Sequence, residues 1–205
     1  MRRFVLSLAA VLSAVALSAC SGGGSVLGFG TDNPSPDHVI ITTAAPSNIA
    51  RVLPGAGIPL SAVQVRGSQN GILSGNNYRW SAALVTSGTY IANTLGQTKP
   101  CQPVNVSFGG GPLTPFAADF GIYIAIDPVN EANIIFIPPT VLPLPPGGTT
   151  VQTNFPYCVV VNAQPGKITG SGLGTTFTPT GPPGSITVAV VSPQNPLASV
   201  VREAK

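Results

Sequence analysis

Proline and glycine fall so often along this chain that a helix has no room to run for several turns. The 205 residues include 22 prolines and 24 glycines. A proline inside a helix removes a hydrogen bond and clashes with the turn before it. Beyond the N-terminal segment, no window shows a sustained helical period of apolar residues. The chain is left with strands joined by turns.

Strand patterns are correspondingly abundant. From Phe120 to Ile126 the apolar residues Phe120, Ile122, Ile124 and Ile126 alternate with Asp119, Gly121, Tyr123, Ala125 and Asp127. Such alternation predicts a half-buried strand. Ser185 to Val191 behaves the same way, while Tyr157–Val161 and Val39–Ile41 are continuous β-branched runs. Short strands separated by turn residues predict an all-β sandwich or barrel. Tyr78 and Trp80 share parity across Arg79, which points both rings at the core.

The first residues carry an address. Arg2 and Arg3 precede an apolar run from Phe4 to Leu17, and small residues follow, the three parts of a secretory signal. The run is shorter than the roughly 20 apolar residues that span a bilayer. Leu17-Ser18-Ala19-Cys20 resembles the lipobox of bacterial lipoproteins. That resemblance implies cleavage before Cys20, a diacylglycerol thioether on its sulfur and an acyl chain such as palmitate on its amine. Two or three chains pass the two-signal threshold for stable anchoring, which a single chain does not reach. Ser21 after the cysteine implies outer-membrane sorting in a Gram-negative cell. An ordinary cleaved signal with a chance cysteine is the alternative.

Loss of residues 1–19 changes the charge argument. The whole chain carries nine Lys and Arg against six Asp and Glu; without Arg2 and Arg3 the count is seven against six. The remaining cations are scattered, so no basic patch is offered to nucleic acid. Residues 20–37, rich in Gly and Ser and then Pro, read as a stalk with a root-mean-square reach of roughly 20–25 Å.

Past the stalk, one pattern recurs. Val39-Ile-Ile41, a proline break and Pro54-Gly55 match Ile134 to Pro146-Gly147 in order, and Thr114-Pro115 to Ile126 matches Thr178-Pro179 to Val190. These matches predict two tandem units, 38–131 with an insertion near 93–111, and 132–193, followed by a tail at 194–205. Pro54 to Ser81, with its Gln69-Asn70-Gly71 turn and Tyr78-Arg79-Trp80-Ser81 strand, resembles bacterial immunoglobulin-like repeats of the intimin and invasin type. Pro145–Thr150 and Gly184–Val190 resemble a second-strand start and a last strand of such repeats. The resemblance implies an immunoglobulin-like β-sandwich, and with the lipobox a lipid-anchored envelope protein.

With Cys20 acylated, Cys101 and Cys158 remain, and in an exported chain they predict a disulfide; two buried free thiols are the alternative. In a two-unit chain that bridge staples the units together.

Reaction machinery is sparse, and a non-enzymatic role is expected. His38, the sole histidine, sits at the stalk's end beside Asp37, with no nucleophile-elbow motif anywhere. Asp119 and Asp127 stand eight residues apart, about 27 Å along an extended strand, too far for an acid–base pair. Asp127 to Asn133 could supply oxygen ligands to calcium between modules, or form a plain interdomain turn. Pro138–Pro146 reads as an edge strand and turn or as a polyproline ligand. No cofactor is expected. A structural, display or binding role toward envelope proteins is the first expectation. A carbohydrate-binding or substrate-presenting module is the second, with Tyr90, Tyr123 and Phe177 as its aromatic platform.

Overall fold

Aliphatic residues at every second position build the long strands, and their buried halves meet in one core. In the computed structural model the described residues are 37–43, 49–67, 71–171 and 174–193. The expected signal segment 1–19, Cys20, the expected stalk up to residue 36 and the expected tail from 194 lie outside them.

The strands follow in order as β1 (His38–Thr43), β2 (Arg51–Val52), β3 (Ile58–Arg66), β4 (Gly71–Ile72), β5 (Asn77–Val85), β6 (Thr89–Ile91), β7 (Thr98–Pro100) and β8 (Val104–Phe108). Then come β9 (Thr114–Pro115), β10 (Ala118–Asp119), β11 (Ile124–Ile126), β12 (Asn133–Phe136), β13 (Gly148–Thr153), β14 (Tyr157–Thr169), β15 (Thr176–Pro179) and β16 (Gly184–Val190). No α-helix occurs among the described residues, and a 3₁₀ turn at Gly121–Tyr123 interrupts the strands. The chain is all-β.

One sheet runs β1-β3-β12-β11, the other β10-β5-β14-β16-β2. Every neighbour in them is antiparallel except β2, which lies parallel to β16. Named by the strands of an immunoglobulin domain, these are A-B-E-D facing C-F-G. Val39, Ile41, Leu60, Ala62, Ile134 and Phe136 from the first sheet pack against Tyr78, Trp80, Leu84, Val159, Val161 and Val188 from the second. Trp80 is buried on the C strand, as its parity predicts, and its indole N–H donates to the Glu131 carbonyl at 2.8 Å.

The boundary expected at 131/132 falls inside this sandwich. β14, from the second supposed unit, pairs with β5 of the first over nine positions, Cys158↔Val85 to Gly166↔Asn77. β12 likewise pairs with β3. The strands of both supposed units therefore form one sandwich, not two in tandem. The repeat has a simpler cause: Val39–Ile41 and Ile134–Phe136 are both strands laid antiparallel against β3, one on each side, so they share a composition.

Two other expectations change. The alternating run at Phe120 is broken, because the Asp119 carboxylate accepts from Gly121 N–H at 2.7 Å and the chain turns there. Phe120 is buried while Ile122 is exposed. Pro138–Pro146 is a strandless connection from β12 to β13, tied down where the Pro138 carbonyl accepts from Gly55 N–H at 2.7 Å.

The sandwich has two unlike ends. The chain comes in at His38, opposite Val65, and Asp37 accepts from Gly67 N–H at 3.2 Å. His38 is thus the first residue of a strand and not part of a hinge. At this near end lie the β3–β5, β11–β12 and β14–β16 connections. At the far end β5 leads into a long insertion: the β6–β7 hairpin, then β8 and β9, which with β13 make a three-stranded sheet, β13-β8-β9. From β9 the chain descends through β10 to pair with Ala83 and Leu84. The three-stranded sheet forms a finger at the far end whose base is fixed by Val104 in the sandwich core and Val151 packed against that core.

Candidate functional site

Alternation gives the β1-β3-β12-β11 sheet an outer face as well as a buried one. On that face Thr42 lies opposite Ser61 and Ser61 opposite Asn133; in the next row Pro59 lies opposite Ile135, and Ile135 opposite Ala125. These six side chains line a groove of about 610 Å³. Its floor is apolar: Ile135 is 46% exposed with no strand of this chain over it among the described residues. The polar edge is self-satisfied, since Ser61 Oγ donates to Asn133 Oδ1 at 2.8 Å. Asp127 lines the rim, and its carboxylate accepts from Val129 N–H at 2.8 Å. An uncharged, largely apolar surface fits this groove. No nucleophile stands beside a base within it, and His38 lies at the other end of β1.

The loop 127–132 is a hairpin connection within one sheet and not an interdomain turn. Its oxygens are engaged: Asn130 Oδ1 accepts from Ala132 N–H at 3.1 Å, and Glu131 Oε2 accepts from the Asn77 amide at 3.0 Å. Among the described residues no three or more His, Cys, Asp or Glu side chains gather as metal ligands.

The aromatic candidates do not form a platform. Tyr90, only 5% exposed, packs with Ala92, Cys101, Cys158 and Ala189, and the Arg51 guanidinium lies 5.7 Å from its ring centre. Tyr123 packs edge-on to Phe120, with centroids 5.2 Å apart. Phe177 on β15 lies over Gly166, where a Cβ would meet its ring carbons, and Arg79 sits 4.6 Å from its centre. Three separate packing environments hold them. Burial against the insertion and against Gly166 is a long-range outcome that parity in the sequence does not carry.

The cysteines meet as expected, with Cys101 and Cys158 joined at an S–S distance of 1.97 Å and a Cα separation of 5.5 Å. The bridge ties the β6–β7 hairpin to the start of β14 inside one sandwich, so it staples an insertion rather than two domains. Cys20 lies outside the described residues.

Two tyrosines have hydroxyls held up in pKa. Burial raises Tyr78, partly offset by the backbone N–H of Gln64, which donates to its hydroxyl at 2.8 Å. Burial raises Tyr157 further, with a smaller contribution from Tyr123, and the Tyr157 hydroxyl has no hydrogen-bond partner among the described residues. No protein-family model matches the chain, and neither a curated protein nor a solved structure does.

Proposed function

We propose that this chain is a lipid-anchored module of the bacterial cell envelope, held by Cys20, that displays a binding surface and carries out no reaction of its own. One observation carries the reading. The polypeptide comes into its sandwich at one end, and the disulfide-bonded hairpin, the finger and the proline-rich connection all belong to the other. A domain tethered at its plain end and elaborated at the opposite one is built for presentation. The apolar groove on the outer sheet face supplies a contact surface for an envelope protein. A glycan-binding role would need an exposed aromatic platform, which Tyr90, Tyr123 and Phe177 do not supply in their separate settings.

Metabolic labelling tests the anchor. Labelled palmitate is expected to mark the chain in bacteria, and the label to be lost in Cys20→Ser. An unlabelled wild-type chain overturns the reading.

A further inference from the structure

The finger carries a combination of features that presentation alone does not require. Its strands and loops, 104–115 and 141–153, contain no Asp, Glu, Lys, Arg or His. Around them the uncharged tracts extend over 100–118 and 132–166. At the tip, Phe108 is 48% exposed, Leu113 44% and Leu144 53%. The two tip loops lie side by side: Phe108 pairs with Gly148, and a Cβ on Gly147 would stand 4.0 Å from the Phe108 ring.

Several polar groups of its tip loops are bonded within the finger. Gly111 N–H donates to the Phe108 carbonyl at 3.0 Å and Gly148 N–H to the Pro145 carbonyl at 2.8 Å. The Ser107 hydroxyl donates to the Gly111 carbonyl at 2.7 Å. Thr149 Oγ1 donates to the Ser107 carbonyl at 3.2 Å and accepts from Gly110 N–H at 3.4 Å. Pro112, Pro143, Pro145 and Pro146 have no N–H to satisfy. Tight turns with positive φ at Gly109, Gly110 and Gly147 make this internal bonding feasible.

A surface of that kind is suited to a medium that offers no hydrogen bonds. A protein partner would normally supply about one hydrogen bond per 100–200 Å² of contact, whereas hydrocarbon supplies none and penalises every unsatisfied backbone group. We propose that the finger is a lipid-contacting tip, seating Phe108, Leu113 and Leu144 at the headgroup–acyl boundary of a bilayer. The anchored reading enters only as the reason a bilayer is nearby.

The test uses the chain from Ser21 onward, which keeps every described strand and lacks both the apolar signal and the acylated cysteine. Strands β1 to β16 are all retained. The chain is expected to float with neutral phosphatidylcholine vesicles, and high salt leaves flotation unchanged because no charge takes part. Hydrogen exchange is expected to slow at 106–114 and 142–149 when vesicles are added. Phe108→Ser with Leu144→Ser is expected to lower partitioning about tenfold or more. Both side chains are half exposed, so the melting temperature should stay the same. Failure of the wild type to float, equal flotation of the variant, or protection elsewhere on the surface overturns the proposal. So does dimerisation without vesicles that the variant abolishes, which would make the finger a protein-docking tip. A negative palmitate label would leave this assay untouched, so the two readings fail separately.

Discussion

The two ends of the sandwich are fastened by different physics. At the near end, side-chain amides and hydroxyls bind the loops. Asn76 donates to the buried Gln64 at 2.6 Å and Thr180 to Asn76 at 3.2 Å. Gln164 donates to the Gly181 carbonyl at 2.6 Å, while Asn77 and Trp80 both hold Glu131. At the far end a disulfide fixes the insertion, and apolar side chains fill the space around it. Directional bonds specify loop conformation but lose stability sharply when one partner goes, because the other is left buried and unpaired. A covalent link and apolar packing around the insertion's hairpin tolerate surface change better.

The largest effect should come from cutting the covalent fastening. Cys101→Ser with Cys158→Ser opens a loop whose ends are 57 residues apart, which the chain-entropy model values at about 4 kcal/mol. Urea unfolding of the oxidised protein and the double variant measures it. Exchange should quicken first at 88–103, not at 64–78; uniform quickening would mean that the two ends are not separately fastened. A smaller loss is expected at the near end. Gln64→Leu takes the acceptor from Asn76 in a region only 1% exposed at Gln64, costing about 2 kcal/mol. A negligible change would show that the amide network is ornamental and that packing holds both ends.

Why these ends were unequally legible follows from their range. The cysteine pair, the core position of Trp80 and the all-β character rest on residue type and parity, which local sequence carries. Which strands become neighbours does not: β3 lies between β1 and β12, and β12 is more than sixty residues away along the chain. Two strands flanking the same partner therefore look like two copies of a domain. The groove escapes local reading for the same reason, since Pro59 and Ile135 face outward only once their register is set. The signal available for the finger was its charge-free tracts between Gly-Pro turns. Tyr90 as a platform failed because the insertion, folding back on β16, buries it.

The finest discrimination between the ends comes from one hydroxyl at each. Tyr78 accepts from Gln64 N–H at 2.8 Å, so Tyr78→Phe strands a buried donor and should cost about 1.5 kcal/mol. Tyr157 is 1% exposed and its hydroxyl has no partner among the described residues. Tyr157→Phe should therefore be neutral or stabilising by up to about 1 kcal/mol, the desolvation of a lone hydroxyl having been removed. Alkali separates them further. Both folded-state pKa values lie above the usual tyrosine value of about 10, because burial disfavours the phenolate. Above that pH the unfolded chain gives up these protons before the folded one does, so stability holds up to about pH 10 and falls as the pH climbs further. Tyr157, pushed higher, contributes more of that fall, and Tyr157→Phe should flatten it more than Tyr78→Phe does. Denaturant midpoints at neutral and alkaline pH measure the slope. An equal effect from both substitutions would mean that the far end is no less hydrogen-bonded around its tyrosine than the near one.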